Sequence, residues 1–279
     1  MNGILIIDKP SDWTSHDVVA KLRGTLGERR VGHGGTLDPM ATGVLPVFIG
    51  RATRAVELLP SGKTYRAKMI LGLVTDSQDI TGKIISKNEN IPDFQQVSDA
   101  AREFIGHGLQ TPPMVSAVKI NGQRLYKLAR QGIEIERKPR PVTFDRIEVS
   151  PGADRAEAEL LVECSGGAYI RTLCHDIGAR LGCGAVMSGL RRLKSGPFDI
   201  SQAVTIDAAS PAAVLPVDSL FAGYPAYTAA DAQEKRIRNG AGFGVNLPDG
   251  KFRVYAEGGE FLMLAEVINS KMSTIKGFY

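Results

Sequence analysis

Asp38 stands in a run of fifteen residues, Gly32-His33-Gly34-Gly35-Thr36-Leu37-Asp38-Pro39-Met40-Ala41-Thr42-Gly43-Val44-Leu45-Pro46, with four glycines, two prolines and one histidine. The run follows neither the 3.6-residue period of a helix nor the alternation of a strand. Glycine opens backbone conformations closed to other residues, and proline fixes φ, so these residues specify a shaped loop. A carboxylate held in such a loop can serve as a nucleophile in covalent catalysis, as in glycosidases. The plain alternative is a surface turn with a solvated aspartate. The apolar run Val44-Leu45-Pro46-Val47-Phe48-Ile49 favours the former, because it can anchor the loop in a core and so position Asp38.

Other chemistries find no support in the residue pattern. Gly32-His33-Gly34-Gly35 is not followed by Gly-Lys-Ser/Thr and is not a phosphate-binding loop. The histidines His16, His33, His107 and His175 lack metal-ligand spacing, and no Gly-x-Ser-x-Gly nucleophile elbow occurs. Neither a metal nor a nucleotide cofactor is expected.

The elements that must position Asp38 are legible in outline. Ile4–Ile7 reads as a short buried strand, and Ser15 as the cap of a helix burying Val18, Val19, Leu22 and Leu26. After the loop, Arg51–Leu59 reads as a helix stopped by Pro60. Tyr65, Ala67, Met69 and Leu71 alternate with Arg66, Lys68 and Ile70, which is a strand with Tyr65, Ala67 and Met69 on one face. Phe94, Val97, Ala101, Phe104 and Ile105 have helical spacing. Asn121-Gly122 marks a hairpin turn, and 124–131 reads as a helix closed by Gly132. Strands are expected at 142–149 and 156–164, then a helix with Ile170, Leu173, Cys174, Ile177 and Leu181 on one side, ended by Gly182. Strands with inserted helices and no βαβ cadence imply an α+β fold with a mixed, mainly antiparallel sheet. An Ala- and Pro-rich stretch at 208–227 reads as a linker, followed by a short helix at 231–239 and strands at 252–256 and 261–268. The implied organisation is a catalytic domain, 1–222, and a small β-rich module, 223–279, too short to build a generous core alone.

The 279-residue chain is 43% hydrophobic and 23% charged, as in ordinary globular proteins, and has no apolar run long enough for a membrane helix. Its beginning has no basic lead and is interrupted by Asp8, so it reads as a strand and not a signal peptide. Three cysteines, Cys164, Cys174 and Cys183, form an odd set that suits buried thiols in a reducing cytoplasm. The net charge of +4 is only mildly basic. It is distributed in three groups: Arg51, Arg54, Lys63, Arg66 and Lys68; Arg124, Lys127, Arg130, Arg137, Lys138 and Arg140; and Arg191, Arg192 and Lys194. Together they favour a polyanionic partner over three unrelated solvated faces.

Leu5-Ile6-Ile7-Asp8-Lys9-Pro10, the Gly32–Leu45 run, Lys63-Thr64-Tyr65-Arg66 and Tyr169-Ile170-Arg171-Thr172-Leu173 occur in that order. Pro112-Pro113-Met114-Val115-Ser116-Ala117-Val118-Lys119, Gly122-Gln123-Arg124-Leu125-Tyr126 and Leu190-Arg191-Arg192-Leu193 join them. From about residue 3 to residue 220 this resembles the TruB-type tRNA pseudouridine synthases, and the C-terminal piece is weakly similar to their small PUA-like RNA-binding module. The resemblance implies isomerisation of a uridine in the tRNA T loop, at position 55, by breaking the N-glycosidic bond and rejoining the base through C5. It makes Asp38 the catalytic carboxylate, Arg171 its arginine partner and Tyr65 the tyrosine that stacks on the target base. The base is extruded from its stack, with His33 filling the vacated space and Leu190 forming an apolar pocket wall. Tyr169 and Lys63 join the RNA-binding set, Arg191 and Arg192 are candidate phosphate contacts, and Lys9, counted with that set, supports the loop. The expected partner is the T arm of tRNA, and the enzyme is expected to be a cytoplasmic monomer with no metal. Ser165-Gly166-Gly167-Ala168 departs from the Ser-Lys-Gly-Thr usual in the family and removes one RNA-facing cation. A related synthase acting on another RNA, or a tRNA-folding protein without required catalysis, are the rival readings.

Overall fold

The computed structural model describes residues 1–116, 118–120 and 122–279. The described chain divides into two compact units, one of residues 1–39, 44–60 and 201–279 and one of residues 40–43 and 61–200.

The first unit begins with β1 (Gly3–Lys9), in which Ile4, Leu5, Ile6 and Ile7 are all buried. Such an unbroken apolar run is the signature of a strand covered on both faces. Main-chain bonds in both directions join Ile4 to Leu215, each 2.8 Å long, so residues expected to form a linker are a partner of β1. Val217, Leu220 and Phe221 are likewise buried in a 3₁₀ turn, because three apolar side chains at this spacing are more stable packed than solvated. Helix α1 (Ser15–Leu26) is capped by Thr14 and not by Ser15: Thr14 Oγ1 accepts from the Asp17 N–H, and the Asp17 carboxylate accepts from the Thr14 N–H. Strand β2 (Val31–His33) pairs antiparallel with β3 (Thr42–Ile49), aligning His33 with Val47. Residues 50–58 form a 3₁₀ helix where an ordinary helix was expected.

The second unit is built on β4 (Lys63–Leu71). A short hairpin, β5 (Leu73–Thr75) and β6 (Ile84–Lys87), leads to α2 (Phe94–Arg102), β7 (Gly106–Gln110) and the two-residue strands β8 (Lys119–Ile120) and β9 (Gln123–Arg124). β8 and β9 pair antiparallel; Asn121 of the expected turn lies outside the described residues. Then follow α3 (Leu125–Arg130), β10 (Arg140–Pro151), β11 (Glu157–Cys164), α4 (Ile170–Leu181), β12 (Ala185–Ser195) and β13 (Phe198–Asp199). Within this unit the strands run β12-β4-β11-β10-β7, each neighbouring pair antiparallel; β13 pairs back on β12, and Thr42 and Gly43 of β3 pair with β12 in parallel. In β4, Tyr65, Ala67, Met69 and Leu71 are buried and Arg66 and Lys68 exposed, as the alternation requires. β12 has no such legible period. Bulges between Met187 and Gly189 and between Arg192 and Lys194 shift its register, and its charged run disguises a central strand.

The chain returns to the first unit at residue 201 and goes on to β14 (Ala226–Ala229), α5 (Asp231–Arg238), β15 (Phe243–Gly244), β16 (Gly250–Ala256), β17 (Phe261–Ile268) and β18 (Lys271–Gly277). They form a five-stranded sheet, β14-β16-β17-β18-β15, over a core that includes Ile237, Phe252, Val254, Leu262, Val267 and Met272. This sheet is joined to earlier parts of the same unit by the Lys276–Glu57 ion pair and by Phe221 against Phe261 and Phe278, each at 6.1 Å.

Candidate active site

In the first unit the backbone on both sides of Asp38 is pinned. The Ser15 hydroxyl, free of capping duty, donates to the Leu37 carbonyl at 3.2 Å and accepts from the Leu37 N–H at 2.9 Å. On the other side, the Pro39 carbonyl accepts from Lys9 Nζ at 3.0 Å and from the Asp12 N–H at 2.9 Å. Lys9 is wholly buried, and its ammonium also donates to the carbonyls of Pro10 and Trp13. An ammonium has three hydrogens to donate, and three carbonyls receive them. Lys9 therefore braces the loop. Asp38 itself is half-buried, as is His33 on β2. Behind His33, Gly34 leaves no space for a side chain: a Cβ would stand 2.6 Å from Leu59 and 2.9 Å from the Phe48 ring.

In the second unit, Tyr65 is aligned with Arg192 on β12 and with Val162 on β11. Residues directly opposed across antiparallel strands share a face, so Tyr65, Ala67, Leu190 and Arg192 line one face. Leu190 is half-buried, as a pocket wall would be. Arg192, expected as a phosphate contact, is wholly buried. Its charge is still felt. Burial, and next the Arg192 guanidinium, lower the Lys63 pKa, while the neighbouring Cys164 opposes the shift. The Cys164 thiol, opposite Lys63 in the sheet, is pushed up to about 12 by burial.

Arg171, in the first turn of α4, is 4% exposed and no surface cation. Its Nη1 lies 3.5 Å from Asp79 Oδ2, and both side chains are buried. Asp79 was not singled out in the sequence. Its Oδ1 accepts from Ser77 Oγ (2.8 Å), Thr81 Oγ1 (2.6 Å) and the Thr81 N–H (3.0 Å), which fixes the carboxylate that faces Arg171. The hydroxyl residues two places on either side were the available signal, since they commonly close a turn around an aspartate. Gln110 is likewise not among the residues that the sequence motifs mark. Its side chain accepts from the Tyr169 N–H at 2.7 Å and donates to the Tyr169 carbonyl at 3.0 Å, fixing the start of α4 where no side chain of the helix caps it. The Arg171 guanidinium lies over the Tyr169 ring at 5.8 Å.

The expected residues thus fall into three arrangements: Lys9 beneath the Asp38 loop with His33 nearby in sequence; Tyr65, Leu190, Arg192 and Lys63 on β4 and β12; and Tyr169 with Arg171 at the head of α4.

Family models match two adjoining stretches of the chain. Residues 23–170 match the TruB family pseudouridylate synthase N-terminal domain, and residues 171–221 match the tRNA pseudouridylate synthase B C-terminal domain. The chain is 52% identical over 210 residues to tRNA pseudouridine synthase B of Heliobacterium mobile, covering 74% of this chain and 68% of that one. It is 40% identical over 273 residues to the protein of the same name from Clostridium kluyveri, covering 94% of each. Among solved structures, the crystal structure of a Cbf5-Nop10-Gar1 complex contains a chain matching with a TM-score of 0.74 and 28% identity, over 99% of this chain and 85% of that one. With more than half of its length matched by one family model and two-fifths identity sustained nearly end to end, the chain belongs to the TruB family of pseudouridylate synthases.

Proposed function

We propose that this protein isomerises uridine to pseudouridine in tRNA, at position 55 of the T loop. The net reaction breaks the bond from ribose C1′ to uracil N1 and forms one from C1′ to C5. A proton leaves C5 and one is gained at N1, so the reaction is redox-neutral and needs no external electron carrier. Asp38 is the reacting carboxylate, acting ionised by attack at C1′, attack at C6 or removal of a ribose proton. Tyr65 stacks on the extruded base, Leu190 walls its pocket, and His33 occupies the gap left in the RNA. Arg171 is the arginine that the family resemblance pairs with the catalytic carboxylate.

The observation that carries this reading is the pinning of Leu37 and Pro39 around a half-buried Asp38 in a chain of this family. Chain connectivity adds support. Four residues after Asp38, Thr42 pairs with Arg191 on β12, and the next residue of that strand, Arg192, pairs with Tyr65. We further read the enzyme as a cytoplasmic monomer, with residues 223–279 as a small PUA-like RNA-binding module. Its five-stranded sheet has a core of its own, within the compact unit that also holds residues 1–39, 44–60 and 201–222.

The test is incubation with an unmodified tRNA transcript, followed by site mapping of pseudouridine. Asp38→Asn is expected to abolish turnover and to leave tRNA affinity within about threefold, since it changes one charge among many contacts. Turnover surviving in that variant would remove Asp38 from the chemistry.

A further inference from the structure

We propose that Arg191 is a positioning residue for the catalytic loop and not a phosphate contact: through Thr42 it sets the register of the strap that follows Asp38. The proposal rests on the reading of Asp38 given above.

Residues 40–43 belong to the second unit, although the chain on either side of them belongs to the first. Against β12, this strap makes two residue pairs, Thr42 with Arg191 and Gly43 with Arg192, in parallel orientation. Two parallel pairs specify the register against β12 only weakly by main-chain bonding, since parallel ladders are the less stable kind. Two side-chain features make up for this. Arg191 Nη1 donates to Thr42 Oγ1 at 3.3 Å, so the arginine is engaged with the residue opposite it. Gly43 has φ +100°, and a Cβ there would stand 2.8 Å from the Arg192 nitrogen. The strap therefore lies against the β12 backbone with no room for a side chain, and the guanidinium holds it from the flank.

Strand parity points the same way. Leu190 and Arg192 share the face of Tyr65 and Ala67, whereas Arg191 is opposite Arg66 and directed to the other face. A half-buried cation on that side is badly placed to contact RNA bound against Tyr65. Arginine suits the positioning role because its planar group is always charged and offers several donors in a fixed fork.

The full-length protein, an unmodified tRNA transcript, and the variants Arg191→Met, Thr42→Val and their double form the test. Arg191→Met and Thr42→Val are each expected to slow the saturating single-turnover rate by about 10- to 100-fold, the scale of a small misplacement of a reacting group. Affinity for tRNA should stay within about twofold, and the slope of log K against log salt should not change. The double variant should be no slower than the slower single variant, because both remove one interaction. Thr42→Ser, which keeps the hydroxyl, should recover most of the rate. A salt slope reduced by about one with the saturating rate intact would make Arg191 a phosphate contact and overturn the proposal. Losses that multiply in the double variant would overturn it too. Amide exchange at residues 40–43 should quicken in Arg191→Met; unchanged exchange beside a lost rate would also refute positioning. If Arg191→Met fails to fold, Thr42→Val carries the same readouts. Exchange needs no turnover, so a wild-type protein that makes no pseudouridine would refute the reaction while the strap is still judged.

Discussion

At the residue scale, buried cations are the organising theme. Lys9, Arg171 and Arg192 are all nearly or wholly inside the protein, where an unpaired charge is costly. Lys9 meets that cost with three carbonyls, one of them on the residue after Asp38. Lys9→Met is expected to slow catalysis at saturating tRNA by about tenfold while leaving tRNA affinity unchanged, measured by single turnover and by filter binding. A residue that touched RNA would show the reverse. Arg171 faces Asp79, whose other oxygen is held by Ser77 and Thr81. Asp79→Asn keeps the shape and removes the charge, and should cost about 3 kcal/mol in urea unfolding, as for other broken buried pairs. Of the residues named from sequence, Asp38, Tyr65 and Arg171 stood in motifs, and motifs are local. Asp79, Gln110 and Ser15 act on residues 92, 59 and 22 positions away. No window of sequence displays a contact of that range.

At the element scale, legibility followed periodicity. β4 alternates cleanly because one face is buried and the other solvated, and α4 carries a regular apolar stripe closed by a left-handed glycine, Gly182 at φ +73°. β12 is not legible in the sequence because two bulges interrupt its period and its middle is Leu190-Arg191-Arg192. The segment around Leu215 looked like a linker because its Ala and Pro content hides the few residues that bond to β1. Helix α1 begins one residue before the start that a Ser15 cap implies. Ser15 and Thr14 are chemically equivalent caps, and only the fold decides that Ser15 is needed at Leu37. The two roles can be separated experimentally. Thr14→Ala should cost about 1 kcal/mol of stability by denaturant titration with little change in rate. Ser15→Ala should slow the saturating rate, because it releases the backbone beside Asp38.

For the whole molecule, the chain passes between its two compact units four times, after Pro39, Gly43, Pro60 and Ile200. Neither unit is a contiguous stretch that could be excised, so unfolding is expected to couple them. Titration at alkaline pH should show it. Burial raises the Cys164 and Cys174 thiols from 9.0 to about 12, and burial with the Asp218 carboxylate raises the Tyr255 phenol from 10.0 to about 12. Such groups favour the folded state fully while they are protonated in both states. Their contribution is lost as pH rises from the unfolded value toward the folded one. The melting temperature should therefore decline between pH 9 and 12 and be flat with respect to these groups below pH 9. All three cysteines are free and buried, and a thiol reacts only as exposed thiolate. The protein thereby carries built-in clocks. Cys164 sits across from Lys63, two residues from Tyr65, and Cys174 lies within the helix headed by Arg171. The rates at which a mild alkylating reagent finds each thiol would report how often the tyrosine strand and the arginine helix breathe, separately and without any introduced label.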